Sequence, residues 1–320
     1  MSAQVFPPVA SGRVLAEVAC ALLALALPWL LPAHAMMINE IAITALFALS
    51  LDLILGYAGI VSLGHAAFFG FGAYSAALFS KHLWPDPVAG LCFAILLSAA
   101  LGLLCSATVL RGSDLTRLMV TLGVAMILLE LANKLDELTG GADGLQGVLM
   151  GPVLGRFEFD LAGQTAAWYS LSATLLGFFL ARRWVHSPFG ASLMAIRDNR
   201  LRALAVGIPV TRRLVTVYTL AAGMAGMAGG LLAQTTGFAS LDVFAFERSA
   251  DVMLMLVIGG VGWLYGGVVG AVVFKILQDQ LSAVTPQYWM FWIGLLLVLL
   301  VLVGRDRLLH PTRWWTGRSS

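Results

Sequence analysis

The chain has 320 residues, of which 60% are hydrophobic and only 11% charged, with a formal net charge of +2 and a mean hydropathy of +0.90. Soluble domains are about 45–50% apolar and about 25% charged, so this composition excludes a water-soluble globular protein. It predicts an all-α polytopic integral membrane protein, with residues 1–320 forming one transmembrane domain.

Eight nearly charge-free runs approach the length of about 20 residues that a helix needs to cross a membrane. They are Val14–Pro32, Met36–Leu55, Ile60–Ser80, Val88–Leu110, Leu115–Asn133, Ala166–Ala181, Leu214–Gly237 and Met290–Val303. The first run could also be a signal peptide that is cleaved after Ala33-His34-Ala35. It is close to a full span and further apolar runs follow at once, so an uncleaved first helix is the preferred interpretation.

Arginine placement predicts the orientation of these helices. Residues 182–213 contain seven arginines and one acidic residue, and four more arginines lie in the tail at positions 305, 307, 313 and 318. Because basic loops stay in the cytoplasm, a loop at about 185–213 and both termini are expected there. The acidic segment at about 134–165 is expected on the opposite, extracytoplasmic side.

Glycine interrupts two of the apolar regions, one in each half of the chain. The first interruption covers about residues 56–80, and the second contains Gly259-Gly260-Val261-Gly262. Counting crossings requires Asp251–Lys275 to begin and end outside, so it is either a re-entrant hairpin or two short crossings. Paired interruptions are typical of an internal two-half repeat with a site between the halves. In total about 8–10 transmembrane helices are expected, including these broken or re-entrant segments.

Residues at the interruptions are candidates for a translocation pathway, because irregular backbone at membrane depth is tolerated only in buried or water-lined places. The candidates are Gly56, Gly59, Ser62, Gly64, His65, Gly259, Gly260 and Gly262. An alternative role for Ser62 and His65 is to hydrogen-bond the carbonyl groups that the broken helix frees.

Three carboxylates, Asp52, Glu130 and Glu40, fall within or beside the spans, where burial of a charge is costly. Asp52 is expected to cap a half-helix or pair with an arginine of the basic loops, and an ion-coupling role is the alternative. No Walker motif, metal-ligand cluster or nucleophile motif occurs, so neither an enzyme nor a metal site is expected.

The basic stretch Arg197–Arg213 contains the signals of a short amphipathic helix. Asp198 or Asn199 can start it, Gly207 can end it, and Ile208-Pro209 then favours an extended exit. A loop kept inside only by charge needs no cap, helix and stop, so a docking element is predicted. Its candidate residues are Arg197, Asp198, Asn199, Leu201, Leu204 and Gly207.

Four segments resemble the LivM-type permease subunits of branched-chain amino acid ABC transporters. They are Gly56–Tyr74 (GYAGIVSLGHAAFFGFGAY), Leu138–Leu145 (LTGGADGL), Ile196–Asn199 with Ala205–Ile208, and Val257–Gly262 (VIGGVG). The match covers most of the chain in the right order, and together these motifs are specific.

The resemblance implies an importer that moves branched-chain or related amino acids inward. Its implied partners are a LivH-like second permease subunit, two cytoplasmic ATPase subunits, a periplasmic binding protein and the lipid of the bacterial inner membrane. The resemblance also implies that the helix near Arg197–Thr211 docks on the ATPase, although Arg200 and Arg202 stand where the family often has acidic residues. No cofactor is expected on this chain, since ATP and Mg²⁺ would bind the partner ATPase, and no nucleic-acid partner is expected.

Two alternatives remain open at this point. Related permeases handle urea, short amides or other amino acids, so the substrate could differ. A stand-alone ion-coupled transporter would need Asp52, Glu130 or His65 as its coupling site.

Overall fold

The computed structural model describes residues 11–160, 162–288, 290–295 and 298, with side chains from residue 17 onward. Within these residues the regular secondary structure is helical, and the only β pairing is two isolated bridges, Leu145 with Ala239 and Val153 with Phe157. The predicted all-α polytopic class is therefore confirmed.

The helices follow the apolar runs. They are α1 (Ser11–Leu30), α2 (Ala35–Asp52), α3 (Ala66–His82), α4 (Pro87–Val109), α5 (Asp114–Lys134), α6 (Asp136–Thr139), α7 (Gln164–Val185), α8 (Pro188–Asp198), α9 (Arg200–Ala205), α10 (Val210–Thr236), α11 (Phe246–Gly259) and α12 (Leu264–Val284). A π-helical turn, Leu53–Tyr57, extends α2. Five described segments are long and apolar enough to cross a membrane: 32–57, 87–109, 114–134, 210–236 and 264–284.

The centre of the fold is α10, which packs against α2, α3 and α4. Its glycines allow this approach: a Cβ atom on Gly229 would lie 1.8 Å from the carbonyl oxygen of Phe69, and one on Gly226 would lie 2.1 Å from Ser98 Oγ. Small residues at such contacts let helix backbones come close, which strengthens dispersion contacts in lipid. These glycines are packing residues.

Loops that the charge pattern assigned to one side of the membrane do lie together. At the acidic-loop side, Ser80 Oγ donates to the Leu149 carbonyl at 2.7 Å, and the Leu145 N–H donates to the Ala239 carbonyl at 2.8 Å. At the opposite, basic-loop side, Arg197 meets Gly56. The predicted last crossing, Met290–Val303, lies mostly outside the described residues, and so do the tail arginines.

The second glycine interruption is an antiparallel helical hairpin made by α11 and α12. Since a helix rises about 1.5 Å per residue, α11 is about 21 Å long and α12 about 32 Å long. Two crossings, the first a short one, therefore fit better than a re-entrant hairpin. The two helices touch through backbone, because a Cβ on Gly259 would lie 1.8 Å from the Gly266 carbonyl oxygen.

Two sequence predictions need correction. The predicted span Ile60–Ser80 becomes helical only at Ala66, because the chain from Ala58 to His65 is irregular. The basic loop, expected to hold one short helix, holds two. The additional helix, α8, begins with Ser187 accepting the Phe189 N–H and with Pro188 in the first turn, where its missing N–H is harmless.

Candidate functional site at the glycine junction

The two glycine interruptions meet at one point on the basic-loop side, which we call the glycine junction and define as Asp52, Gly56, Arg197 and Gly262. A Cβ atom on Gly56 would lie 2.5 Å from the Gly262 nitrogen and 2.2 Å from Asp52 Oδ1. The two breaks are therefore in direct backbone contact, and a side chain at Gly56 would separate them.

Asp52, the last residue of α2, binds the second glycine interruption. It is fully buried, and its Oδ1 accepts the Gly262 N–H at 2.8 Å. This bond satisfies a backbone donor that the turn before α12 leaves free. Asp52 thus ties the end of α2 to the turn before α12. Gly262 precedes Trp263, the N-cap residue of α12, so the predicted role of Asp52 as a helix-end cap stays a prediction.

Arg197, near the end of α8, holds the first break. Its Nη1 donates to the Gly56 carbonyl at 2.5 Å, and its Nε and Nη2 reach Asp198 Oδ1 at 3.4 Å. The stem of Arg197 lies against Gly59, where a Cβ would be 2.8 Å from Arg197 Cγ. One side chain of the basic loop thus contacts both glycine breaks, since Nη1 would also lie 3.2 Å from a Cβ on Gly262.

The predicted short helix is α9. Asn199 caps it, because its Oδ1 accepts the Arg202 N–H at 2.9 Å, and the helix ends at Ala205. Gly207 follows with a φ of +87°, a conformation that favours glycine. The predicted cap, helix and stop are confirmed, and the docking role stays a prediction.

Apolar side chains on and just after α9 have no protein neighbour to bury them. Leu201 is 79% exposed, and Leu204 and Val206 are also exposed. Leu201 and Leu204 share the six-residue helix α9 with Arg200 and Arg202, and Val206 follows directly after it. An exposed apolar patch with a basic rim is typical of a surface that binds another protein.

His65 and Ser62 lie inside the fold, each with 1% of its surface exposed. His65 Nε2 is 2.9 Å from Ser50 Oγ, and the ring stacks on Phe47. The Ser62 hydroxyl has no hydrogen-bond partner within the described chain. The alternative prediction was that both side chains hydrogen-bond carbonyl groups freed by the broken helix. It is wrong, because His65 pairs with the Ser50 hydroxyl and the Ser62 hydroxyl has no partner in the described chain.

Sequence reasoning missed Ser249, whose Oγ accepts the Ala66 N–H at 2.9 Å. This bond satisfies the first free donor of α3 and ties α11 to the first interruption. The one signal was a hydroxyl residue at the start of the second glycine-rich region.

The pathway candidates are packed inside the single chain, but not all at one point. Gly56 meets Gly262, whereas Gly64 lies against Thr121 and His65 against Ser50. None of the candidates lines the polar pocket or the apolar cavity between α2 and α12. They are Gly56, Gly59, Ser62, Gly64, His65, Gly259, Gly260 and Gly262. Their role in translocation stays a prediction.

The other two carboxylates have partners on helices. Glu130 faces Lys134 at 3.7 Å near the end of α5, where both side chains are exposed. Glu40 pairs with Lys275 of α12 at 3.2 Å, and sequence analysis had not singled out that lysine.

The sequence of the chain is similar to those of several known permease proteins. A family described as branched-chain amino acid transport system / permease component matches residues 34–301. The LivM permease protein of Escherichia coli is 28% identical, with 92% of this chain and 74% of that protein covered, and the Salmonella typhimurium LivM is 29% identical, with 84% and 68% covered. The Escherichia coli LivH permease protein is 23% identical, with 81% and 88% covered. No solved structure matches.

Proposed function

This chain belongs to the permease-component family of branched-chain amino acid transport systems and is a multi-pass membrane permease, and on that premise we propose that it carries branched-chain amino acids into the cytoplasm. The LivM names of two relatives that cover most of the chain support this substrate class. Import would be driven by ATP hydrolysis on separate subunits.

We propose a LivH-like second permease subunit, two cytoplasmic ATPase subunits and a periplasmic binding protein as its partners. The chain itself would bind no cofactor, because ATP and Mg²⁺ would sit on the ATPase. The bacterial inner membrane with both termini in the cytoplasm is the proposed location, supported by the arginines of the α7–α10 connection.

One observation carries the coupling mechanism: Arg197 of the basic loop bonds to Gly56 at the point where both broken segments meet. The ATPase would hold the exposed Leu201, Leu204 and Val206. A movement of α8 and α9 would then reach the glycine junction through Arg197. The packed backbone at the junction would transmit that movement to α2 and to the α11–α12 hairpin, because close-packed contacts shift as units.

Reconstitution tests this function. The full complex, placed in vesicles with its binding protein, is expected to accumulate labelled L-leucine only when ATP reaches the ATPase side. Uptake driven by an ion gradient without ATP would contradict the proposal and favour a stand-alone transporter. Uptake of urea or short amides, but not of leucine, would keep the ATP-driven mechanism and reject the substrate class.

A further inference from the structure

A polar pocket of about 540 Å³ opens on the acidic-loop side, between the first turns of α2 and the second half of α12. We call it the outer pocket. Its charged lining consists of Glu40, Lys275 and Asp279, with Gln278 beside them. No residue at the glycine junction belongs to it.

Lys275 is the most buried of the charged residues in the outer pocket, whereas Glu40 and Asp279 are exposed. Lys275 is near the middle of α12, about 14–16 Å from either end of that helix. Its side chain is 16% exposed and forms its ion pair with Glu40 of α2 at 3.2 Å. A charge at this depth is costly unless it is paired or faces a water-filled cavity, so such groups indicate a functional site.

The chemistry of the outer pocket fits a zwitterion. Lys275 can donate to a carboxylate, while Glu40 and Asp279 can accept from an ammonium group. Gln278 Oε1 is buried and has no hydrogen-bond partner in the described part of the chain, so it offers a further acceptor. A bound zwitterion would exchange its two charges for the existing ion pair and leave the net charge of the pocket unchanged.

An apolar cavity of about 710 Å³ adjoins this pocket, and His34 and Met37 line both. Close to the shared wall it is lined by Ile38, Ile41 and Ile276. An aliphatic side chain attached to a zwitterion on Lys275 would find apolar surface next to it. Burial of such a side chain would favour leucine over glycine, which has no side chain to bury.

We propose that the outer pocket is a binding subsite for a free amino acid with an aliphatic side chain. Lys275 binds its α-carboxylate, Glu40 and Asp279 bind its α-ammonium group, and the adjoining cavity takes its side chain. The proposal deepens the proposed function and rests on it for the substrate class. A phospholipid fits less well, because head groups lie at the membrane surface whereas Lys275 lies near the middle of α12.

Substrate protection in the full complex tests the subsite. The three free cysteines, Cys20, Cys92 and Cys105, are first replaced by alanine. Met36→Cys then places a thiol on the exposed rim of the outer pocket, and Leu83→Cys places a matched thiol outside it on the same side. The rate of modification by a cationic methanethiosulfonate reagent is measured with and without L-leucine.

L-leucine at about ten times its dissociation constant leaves about one site in ten free, so modification at Met36→Cys should slow about tenfold. Leucine should not slow modification at Leu83→Cys. Isoamylamine, which lacks the carboxylate, and isocaproate, which lacks the ammonium group, should protect neither site. Lys275→Met should abolish the protection and Lys275→Arg should retain most of it.

Each other outcome has a clear meaning. No protection at Met36→Cys in a complex that imports leucine normally would overturn the subsite and leave the proposed function intact. Equal protection by isoamylamine would also overturn it. A labelling rate that depends on replacing phosphatidylethanolamine by phosphatidylcholine, and not on leucine, would identify a lipid occupant instead. Protection without any uptake would count against the proposed function alone.

Discussion

Arg197 donates its Nη1 hydrogen bond to the carbonyl oxygen of Gly56 at 2.5 Å, across 141 residues of sequence. The bond joins the basic loop to the end of the π-helical turn that follows α2. Arg197 therefore links α8 directly to the glycine junction.

Arg197→Met should therefore uncouple the complex. The change removes a charge-assisted hydrogen bond of about 1.5–3 kcal/mol while keeping an apolar stem beside Gly59. Substrate-stimulated ATPase activity should fall about tenfold or more, a factor that corresponds to about 1.4 kcal/mol, with normal amounts of assembled complex. Arg183→Met removes an exposed arginine in the last turn of α7, outside α8 and α9, and is the control. Equal stimulation in both variants would contradict the role of Arg197.

Gly207→Val should impair coupling by straining the backbone after α9, without any side-chain clash. A Cβ at Gly207 meets nothing within 4 Å, but the φ of +87° is one that a β-branched residue rarely adopts. The end of α9 should shift, and ATPase stimulation should drop while membrane insertion persists. Gly147→Val is the matched control, since Gly147 has a φ of +72° and open space on the acidic-loop side. Deletion of Arg197–Val206 should have the same effect as Gly207→Val, and normal stimulation in either would contradict the docking role.

Asp52→Asn should leave transport largely intact. An asparagine oxygen can still accept the Gly262 N–H, so the hydrogen bond to the turn before α12 survives. Asp52→Ala should destabilise the complex by about 1–3 kcal/mol, because it leaves the partly buried Gly262 N–H without its acceptor. Thermal unfolding and uptake measure the two effects. Complete loss of uptake in an assembled Asp52→Asn complex would instead favour ion coupling.

Gly64→Ala should prevent assembly. The new Cβ would lie 1.8 Å from the Thr121 carbonyl oxygen, and backbone on α5 cannot yield as a flexible side chain does. Gly123→Ala, on the same helix as Thr121, meets nothing within 4 Å and should be tolerated. Yields of folded protein in detergent compare the two. Similar yields would show that the first interruption can move away from α5.

Asp160 should make the start of α7 sensitive to acid. Burial raises the pKa of Asp160, but hydrogen bonds from Thr165 and Gln164 outweigh burial and hold the pKa below its usual value. A lowered pKa in the folded state stabilises the protein above the unfolded pKa, and this stabilisation is lost as the pH falls through the folded value. Asp160→Asn should thus lower the melting temperature at neutral pH, and the difference from wild type should shrink in acid. A constant difference across pH would contradict this assignment.

Sequence patterns predicted the parts of the site that depend on neighbouring residues. Asn199, the α9 helix and Gly207 follow one another within nine positions, and each signal acts locally. The contact of Gly56 with Gly262 could not be predicted, because nothing in either glycine run specifies its distant partner. Lys275 was missed for the same reason. Its ion-pair partner, Glu40, lies on another helix that is distant in sequence. Helix α8 was not predicted, because the arginines around it led to the interpretation of the segment as a basic loop. Ser187 and Pro188 could have indicated its start.

The bond between Asp52 and Gly262 also has a consequence for synthesis, since the two residues are 210 positions apart. Ribosomes add about 5–20 residues per second, so Asp52 waits about 10–40 s after its own synthesis before Gly262 exists. During that interval the carboxylate must stay near the water interface or carry a proton. A ribosome that stops before α11 would leave a nascent chain with an unsatisfied acid in its second span, and we expect quality-control proteases to remove such fragments.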